Sequence, residues 1–143
     1  AVQAEGSANI AHNMNRSFKA EPSNTIADSI SVDIPRNFNL CVSYLKKYGG
    51  ETIVVHDNEI LEASVKLSRK TGIFTEPAAA AAFAGYLKYK SMYRIKRNST
   101  NTVLLTGSGL KDLNAVQPLI NLPAPVYPDM ESVMRFLEKS IQM

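Results

Sequence analysis

Apolar and polar positions change period several times along this chain, and each change marks an element. Ala1 to Glu5 reads as a short strand that stops at Gly6. Asn9 stands where a helix cap is expected, and the pattern behind it predicts a helix to about Lys19. Glu21-Pro22-Ser23-Asn24 is a turn cluster. Thr25 to Val32 alternates Ile26, Asp28, Ile30 and Val32 without a clear apolar face, so it fits helix and strand alike until Pro35 ends it. Leu40, Cys41, Tyr44, Leu45 and Tyr48 then recur at helical spacing behind a candidate cap, Asn37, and Gly49-Gly50 stops them. Glu51 to His56 is a strand built on Ile53, Val54 and Val55. Asp57 is placed to cap a helix carrying Ile60, Leu61, Val65 and Leu67 and ending at Thr71-Gly72, with Glu59 and Glu62 in the turns where the helix dipole favours acids. After an extended step at Ile73-Phe74, Glu76 and Pro77 open a further helix, with Pro in the first turn where its missing N–H costs nothing. Ala78 to Leu87 continues it. Thr102-Val103-Leu104-Leu105-Thr106 predicts a buried strand over Asn101 to Thr106, followed by Gly107-Ser108-Gly109. Leu110 to Ile120 predicts a short helix, Leu122 to Pro128 a proline-rich connection. Asp129 caps a last helix with Met130, Val133, Phe136, Leu137 and Ile141 on its apolar side.

Strands alternating with helices make the class α/β with a mostly parallel sheet. Three strands are thin cover for helices on two faces, so the sheet is expected to be completed by residues outside these 143. The opening Ala-Val-Gln-Ala-Glu has no initiator Met and no signal-peptide pattern, and reads as if it starts inside a strand. Both features lead us to expect a fragment. Apolar residues make up 45 % and charged residues 20 %, which are globular values and argue against disorder. A net charge of +3 names no partner by itself. No apolar run approaches a bilayer span. The single cysteine, Cys41, permits no internal disulfide, which suits a reducing cytoplasm. Lying within an apolar helical pattern, it reads as a small core residue.

Four segments in order carry a family resemblance: Val2-Gln3-Ala4-Glu5-Gly6; Thr25-Ile26-Ala27-Asp28-Ser29-Ile30; Thr71 to Ala81 (Thr-Gly-Ile-Phe-Thr-Glu-Pro-Ala-Ala-Ala-Ala); and Val103 to Asp112, which contains Thr-Gly-Ser-Gly-Leu-Lys-Asp. Over residues 1 to about 115 the chain resembles the C-terminal part of threonine synthases, in the tryptophan-synthase-β-like, fold-type II group of pyridoxal-phosphate enzymes. The resemblance implies an α/β fold: part of an open, mostly parallel three-layer sheet flanked by helices. It implies that residues 1–143 form the C-terminal part of the large cofactor-binding domain, without the region that carries the Schiff-base lysine and the phosphate loop. The implied cofactor is pyridoxal 5'-phosphate, and the implied reaction turns O-phosphohomoserine and water into threonine and phosphate. Related ammonia-lyases share the Glu-Pro-Ala string and are the alternative. The fragment alone is expected to be inactive, cytoplasmic and homo-oligomeric or self-associating. Its partner is expected to be a small-molecule substrate, with neither nucleic acid nor membrane.

The resemblance also assigns candidate cofactor-binding residues. It places a hydroxyl at Thr106 on the pyridine nitrogen, and open α/β sheets do place ligands at strand ends. It places Glu76 near the ring edge, although a carboxylate at a helix start is also explained by the dipole. Ala27 and Ser29 are small enough for a backbone passing close to a planar ring, or for a tight packing junction. Gly107 belongs to a Gly-Ser-Gly run without P-loop or dinucleotide spacing, read here as a close-approach turn beside the ring.

Other signals point elsewhere or nowhere. Ser17-Phe18-Lys19 is similar to the family's Schiff-base string but continues Ala-Glu-Pro and lies out of order, so Lys19 is read as a solvated residue at a helix end. His12 and His56 lack companions at ligand spacing, and no metal is expected. Lys88 to Arg97 interleaves basic residues with Tyr89 and Tyr93, a pattern that binds single-stranded nucleic acid. The same pattern describes a solvated helix tail whose long stems cover apolar surface. A non-catalytic basic module using residues 88–97 is therefore the rival in another functional class.

Overall fold

A computed structural model describes residues 1–117 and 124–141. Two strands, β1 (Val2–Ala4) and β2 (Ile53–Val55), pair in parallel with Val2 opposite Ile53 and Ala4 opposite Val55. The crossover between them holds α1 (Asn9–Asn13), a 3-10 turn at Asp28–Ile30 and α2 (Phe38–Lys47). Behind β2 come α3 (Asp57–Thr71) and α4 (Pro77–Ser91), then a 3-10 turn at Gly109–Lys111, α5 (Leu113–Val116) and α6 (Met130–Ile141). Parallel strands joined through helices are the α/β signature that the residue pattern predicts.

The core lies where α3 and α4 pack on each other and on the sheet. Ala4, Ala27, Val55, Ile60, Ala63, Ala80, Ala81 and Ala84 form one buried cluster. Alanine on one face of α4 lets its backbone come close to α3 and the strands. Gly85 carries this furthest: a Cβ there would lie 2.3 Å from a Val2 methyl. Ile60 is the largest fully buried side chain, and burying it is worth about 1.5–3 kcal/mol. Helix α3 ends at Gly72, whose φ of 74° is the left-handed cap the Thr71-Gly72 pair predicts. Pro77 occupies the first turn of α4 behind Glu76, also as predicted.

Several expectations need correction. Helix α1 stops at Asn13 rather than near Lys19, and Asn9 does not cap it. The buried Asn9 side chain instead grips Glu21, donating to its carbonyl at 2.9 Å and accepting its N–H at 2.9 Å. Asn13 does the same for Lys19 at 3.0 and 2.8 Å. These bonds draw the chain away from the helix axis. Lys19 is exposed but sits in that loop, not at a helix end. Asp57 does not cap α3 either; His56 holds the cap position, and Asp57 is the first helical residue. Residues 101–106 form no strand. They carry no regular structure, with Leu104 73 % exposed, and no described segment pairs with their backbone as a strand. Helix α2 forms where predicted but buries none of its residues, so Cys41 is a half-buried residue and not part of the core. The helix predicted to Ile120 becomes a 3-10 turn and the four-residue α5, and residues 118–123 lie outside the described part.

Candidate functional site

The Glu76 backbone opens the site. Its N–H donates to the Gly107 carbonyl at 3.2 Å, and the Gly109 N–H donates to the Phe74 carbonyl at 3.1 Å. These bonds lay the Gly-Ser-Gly run antiparallel to Phe74–Glu76, with Thr75 opposite Ser108. The two glycines are what let the strands of this pair lie so close. At Gly107 a Cβ would fall 1.8 Å from Glu76 Oε1, and at Gly109 it would fall 2.6 Å from the Phe74 ring. The Gly-Ser-Gly run does make a close approach, to Phe74–Glu76, and Gly107 packs on the Glu76 carboxylate itself.

Glu76 is buried at the N-terminus of α4. The helix dipole favours a negative charge there. Ser29 reaches across from the crossover and its hydroxyl donates to Glu76 Oε2 at 3.4 Å, a long bond. Asp28, Ser29, Glu76, Pro77, Ala78, Lys111 and Asp112 line a polar cavity of about 360 Å³. Three of the five predicted site residues, Glu76, Ser29 and Gly107, thus meet at one place. Lys111 and Asp112 join them; they close the Thr-Gly-Ser-Gly-Leu-Lys-Asp string, but no site role was assigned to them from the sequence.

Ala27 and Thr106 are placed differently. The Ala27 side chain is fully buried in the core cluster, so it serves as the packing junction weighed above, while its backbone leads directly into Asp28 and Ser29. Thr106 is exposed and lies at the end of a segment without regular structure, not of a buried strand. It lines a second, larger cleft of about 880 Å³ whose apolar floor includes Val2, Ile53, Ala81 and Gly85.

Other polar groups are engaged in the scaffold. Thr75 Oγ1 is the buried side-chain polar atom that lacks a partner among the described residues. His12 pairs with Glu21 at 2.6 Å and His56 with Glu5 at 2.8 Å, both near the surface. Among the described residues no group of His, Cys, Asp or Glu is gathered as a metal site. Two of the five basic residues in the 88–97 stretch pair with acids of this chain. Lys88 binds Glu59 at 3.0 Å, and Arg94 grips both Glu51 oxygens at 2.7 and 2.6 Å with its guanidinium 4.8 Å from the Tyr89 ring centre. Among the described residues no helix is long and apolar enough to cross a membrane.

Comparison with known proteins places this geometry in context. Residues 1–107 match the family model of pyridoxal-phosphate dependent enzymes. The chain is 36 % identical over 129 residues to a threonine synthase of Halalkalibacterium halodurans, covering 90 % of this chain and 35 % of that protein. It is 39 % identical over 113 residues to a threonine synthase of Synechocystis, covering 78 % and 29 %. The chain therefore spans about a third of the length of the relatives it matches. Among solved structures, maize serine racemase superposes with a TM-score of 0.58 at 16 % identity, covering 98 % of this chain and 37 % of that one. The threonine deaminase of T.th. superposes with a TM-score of 0.53 at 20 % identity, covering 64 % and 30 %. At those identities the two structures speak for the fold alone.

Proposed function

The chain belongs to the pyridoxal-phosphate dependent enzyme family, and we propose that it supplies the C-terminal wall of the cofactor site in a threonine synthase. Pyridoxal phosphate is the cofactor. The convergence of Ser29, Glu76 and Gly107 at the start of α4 is the observation that carries the reading. Those residues fit one edge of a planar ring: a glycine packed directly on a buried carboxylate, a short hydroxyl, and a backbone pinned into the core at Ala27. The Schiff-base lysine and the phosphate loop would come from residues outside these 143. A cytoplasmic location goes with this metabolic role.

When bound, the cofactor supplies an electron sink for carbanions at the substrate, and the protein supplies orientation and electrostatics. Thr106 would hold the pyridine nitrogen through its hydroxyl. A neutral hydroxyl does not force that nitrogen to stay protonated as a carboxylate would, which moderates electron withdrawal. The Glu76 carboxyl is fixed at the helix start, held by the Gly107 carbonyl through its backbone and by Ser29 through its side chain. The overall reaction consumes O-phosphohomoserine and water and releases threonine and phosphate. An ammonia-lyase is the second reading, because the Glu-Pro-Ala string is common to both.

Product analysis on the full-length protein, loaded with pyridoxal phosphate and given O-phosphohomoserine, tests the proposal. Phosphate and threonine in equal amounts are expected, with Thr106→Val reducing kcat far more than Ser108→Ala. Ammonia release from threonine or serine, with O-phosphohomoserine left intact, selects the lyase. Equal and undiminished activity in the two variants removes Thr106 from the mechanism.

A further inference from the structure

An acid at the first position of a helix usually needs no explanation beyond the dipole. Asp57 stands there in α3, yet both its oxygens point to another segment. Oδ1 accepts the Thr25 hydroxyl at 2.5 Å and Oδ2 accepts the Ile26 N–H at 3.0 Å. The Thr25 hydroxyl oxygen in turn accepts the Ala27 N–H at 3.2 Å. A relay thus runs from α3 to the backbone that enters Ala27–Ser29. The far side of that segment is held by Ser7, whose hydroxyl donates to the Ile30 carbonyl at 2.9 Å and accepts the Val32 N–H at 3.1 Å. Glu76 also meets this segment, through the long 3.4 Å bond from the Ser29 hydroxyl, but Asp57 is the carboxylate that holds its backbone, and hydrogen bonds to a charged group are roughly twice as strong as neutral ones. Fixing a loop through a remote carboxylate is how supporting residues set the geometry of a site.

We propose that Asp57 is a positioning residue that, acting through Thr25, sets the Ala27–Ser29 backbone where it walls the cofactor ring. The proposal rests on the functional reading above. Its rival is that Asp57 serves only the N-terminus of α3. Two substitutions separate them: Thr25→Val removes the relay and leaves the acids of α3 intact, whereas Glu59→Gln removes a neighbouring first-turn acid and leaves the relay intact.

The measurement is hydrogen–deuterium exchange across residues 24–30 in the full-length protein without cofactor, paired with the visible circular dichroism of bound pyridoxal phosphate. Asp57→Asn should speed exchange at Ile26 by about tenfold or more, the scale expected for losing a charge-assisted bond, and Thr25→Val should speed it at Ala27, whose N–H loses its acceptor. Both should also alter the cofactor's dichroic band. Thr25→Ser should restore both signals, and Glu59→Gln should change neither. Should Asp57→Asn not fold, Thr25→Val against Thr25→Ser carries the same comparison. Wild-type exchange rates in Thr25→Val overturn the proposal. So does faster exchange with an unaltered band, which would leave the cofactor assignment standing. A wild-type protein that shows no cofactor band overturns the functional reading and this inference together, and only that result does so.

Discussion

At the scale of the residue, Gly107 is the most constrained position of the site. An added methyl would lie 1.8 Å from Glu76 Oε1, 2.3 Å from Cδ and 2.7 Å from Cγ. The carboxylate end is mobile enough to swing away, but it would then leave Ser29. Overpacking of this kind costs about 1–3 kcal/mol. Gly107→Ala should therefore lower the unfolding free energy by that amount, read as a shift of the denaturant midpoint. Leu110→Ala, at a side chain 75 % exposed, should stay within about 0.5 kcal/mol of wild type. Equal midpoints would mean that Gly107 is not packed on Glu76 as described. Glu76 and Gly107 were legible because of the family resemblance around them; local chemistry alone made Glu76 an acid at a helix start and Gly107 a turn glycine. Asp57 was legible only as a cap. Its partners Thr25 and Ile26 lie about thirty positions away, and a linear pattern carries no sign of such a pairing.

At the scale of the element, spacing identified helices well and their surroundings poorly. The 3.6 period of Leu40, Tyr44 and Tyr48 does make α2, yet all three side chains are more than half exposed. Periodicity records that a face is apolar, and what covers it is a separate matter. The same holds for Val103–Leu105, whose apolar run reads as a strand but finds no described partner. The stretch from Lys88 had two readings, and its end is tied into the scaffold. Helix α4 closes with the Arg94 N–H on the Tyr89 carbonyl and the Tyr93 N–H on the Lys90 carbonyl, both at 3.1 Å, around a left-handed Tyr93. This is a Schellman closure, and it delivers Arg94 to Glu51. The hydrogen bond from Tyr89, followed by those from Arg94, holds the Glu51 carboxyl below its ordinary range. The same bond to Glu51 holds the Tyr89 phenol above its own. The depressed acid contributes stability above the ordinary glutamate range, lost as pH falls through its folded value. The raised phenol contributes stability below the ordinary tyrosine range, lost as pH rises through its folded value. The clasp is thus strongest between the two. In a thermal series, Glu51→Gln should melt lower than wild type near neutrality, and the gap should close in acid. A gap that persists unchanged into acid would show that the Glu51 charge is not what holds the end of α4.

At the scale of the whole molecule, area decides what the exposed faces mean. A compact monomer of 15.7 kDa would leave about 7,300 Å² accessible by the usual surface law, whereas this chain leaves 10,509 Å². The excess includes large apolar side chains gathered on two helices: Leu40, Tyr44 and Tyr48 on and just beyond α2, and Met130, Met134 and Leu137 on α6. Each such side chain gains about 1.5–3 kcal/mol on full burial, and clusters of them on a soluble surface mark contacts with other protein. In isolation, the only protein on offer is another copy. The 143-residue chain should therefore self-associate, with a sedimentation coefficient that rises with concentration through the micromolar range. Replacing Leu40 and Tyr44 by Lys should weaken that rise by removing the centre of the α2 face. The pair is already more than half exposed, so little folding stability should be lost with it. A single monomeric species at every concentration would show that these faces are tolerated in water, and that the excess area reflects an open chain and not an uncovered interface.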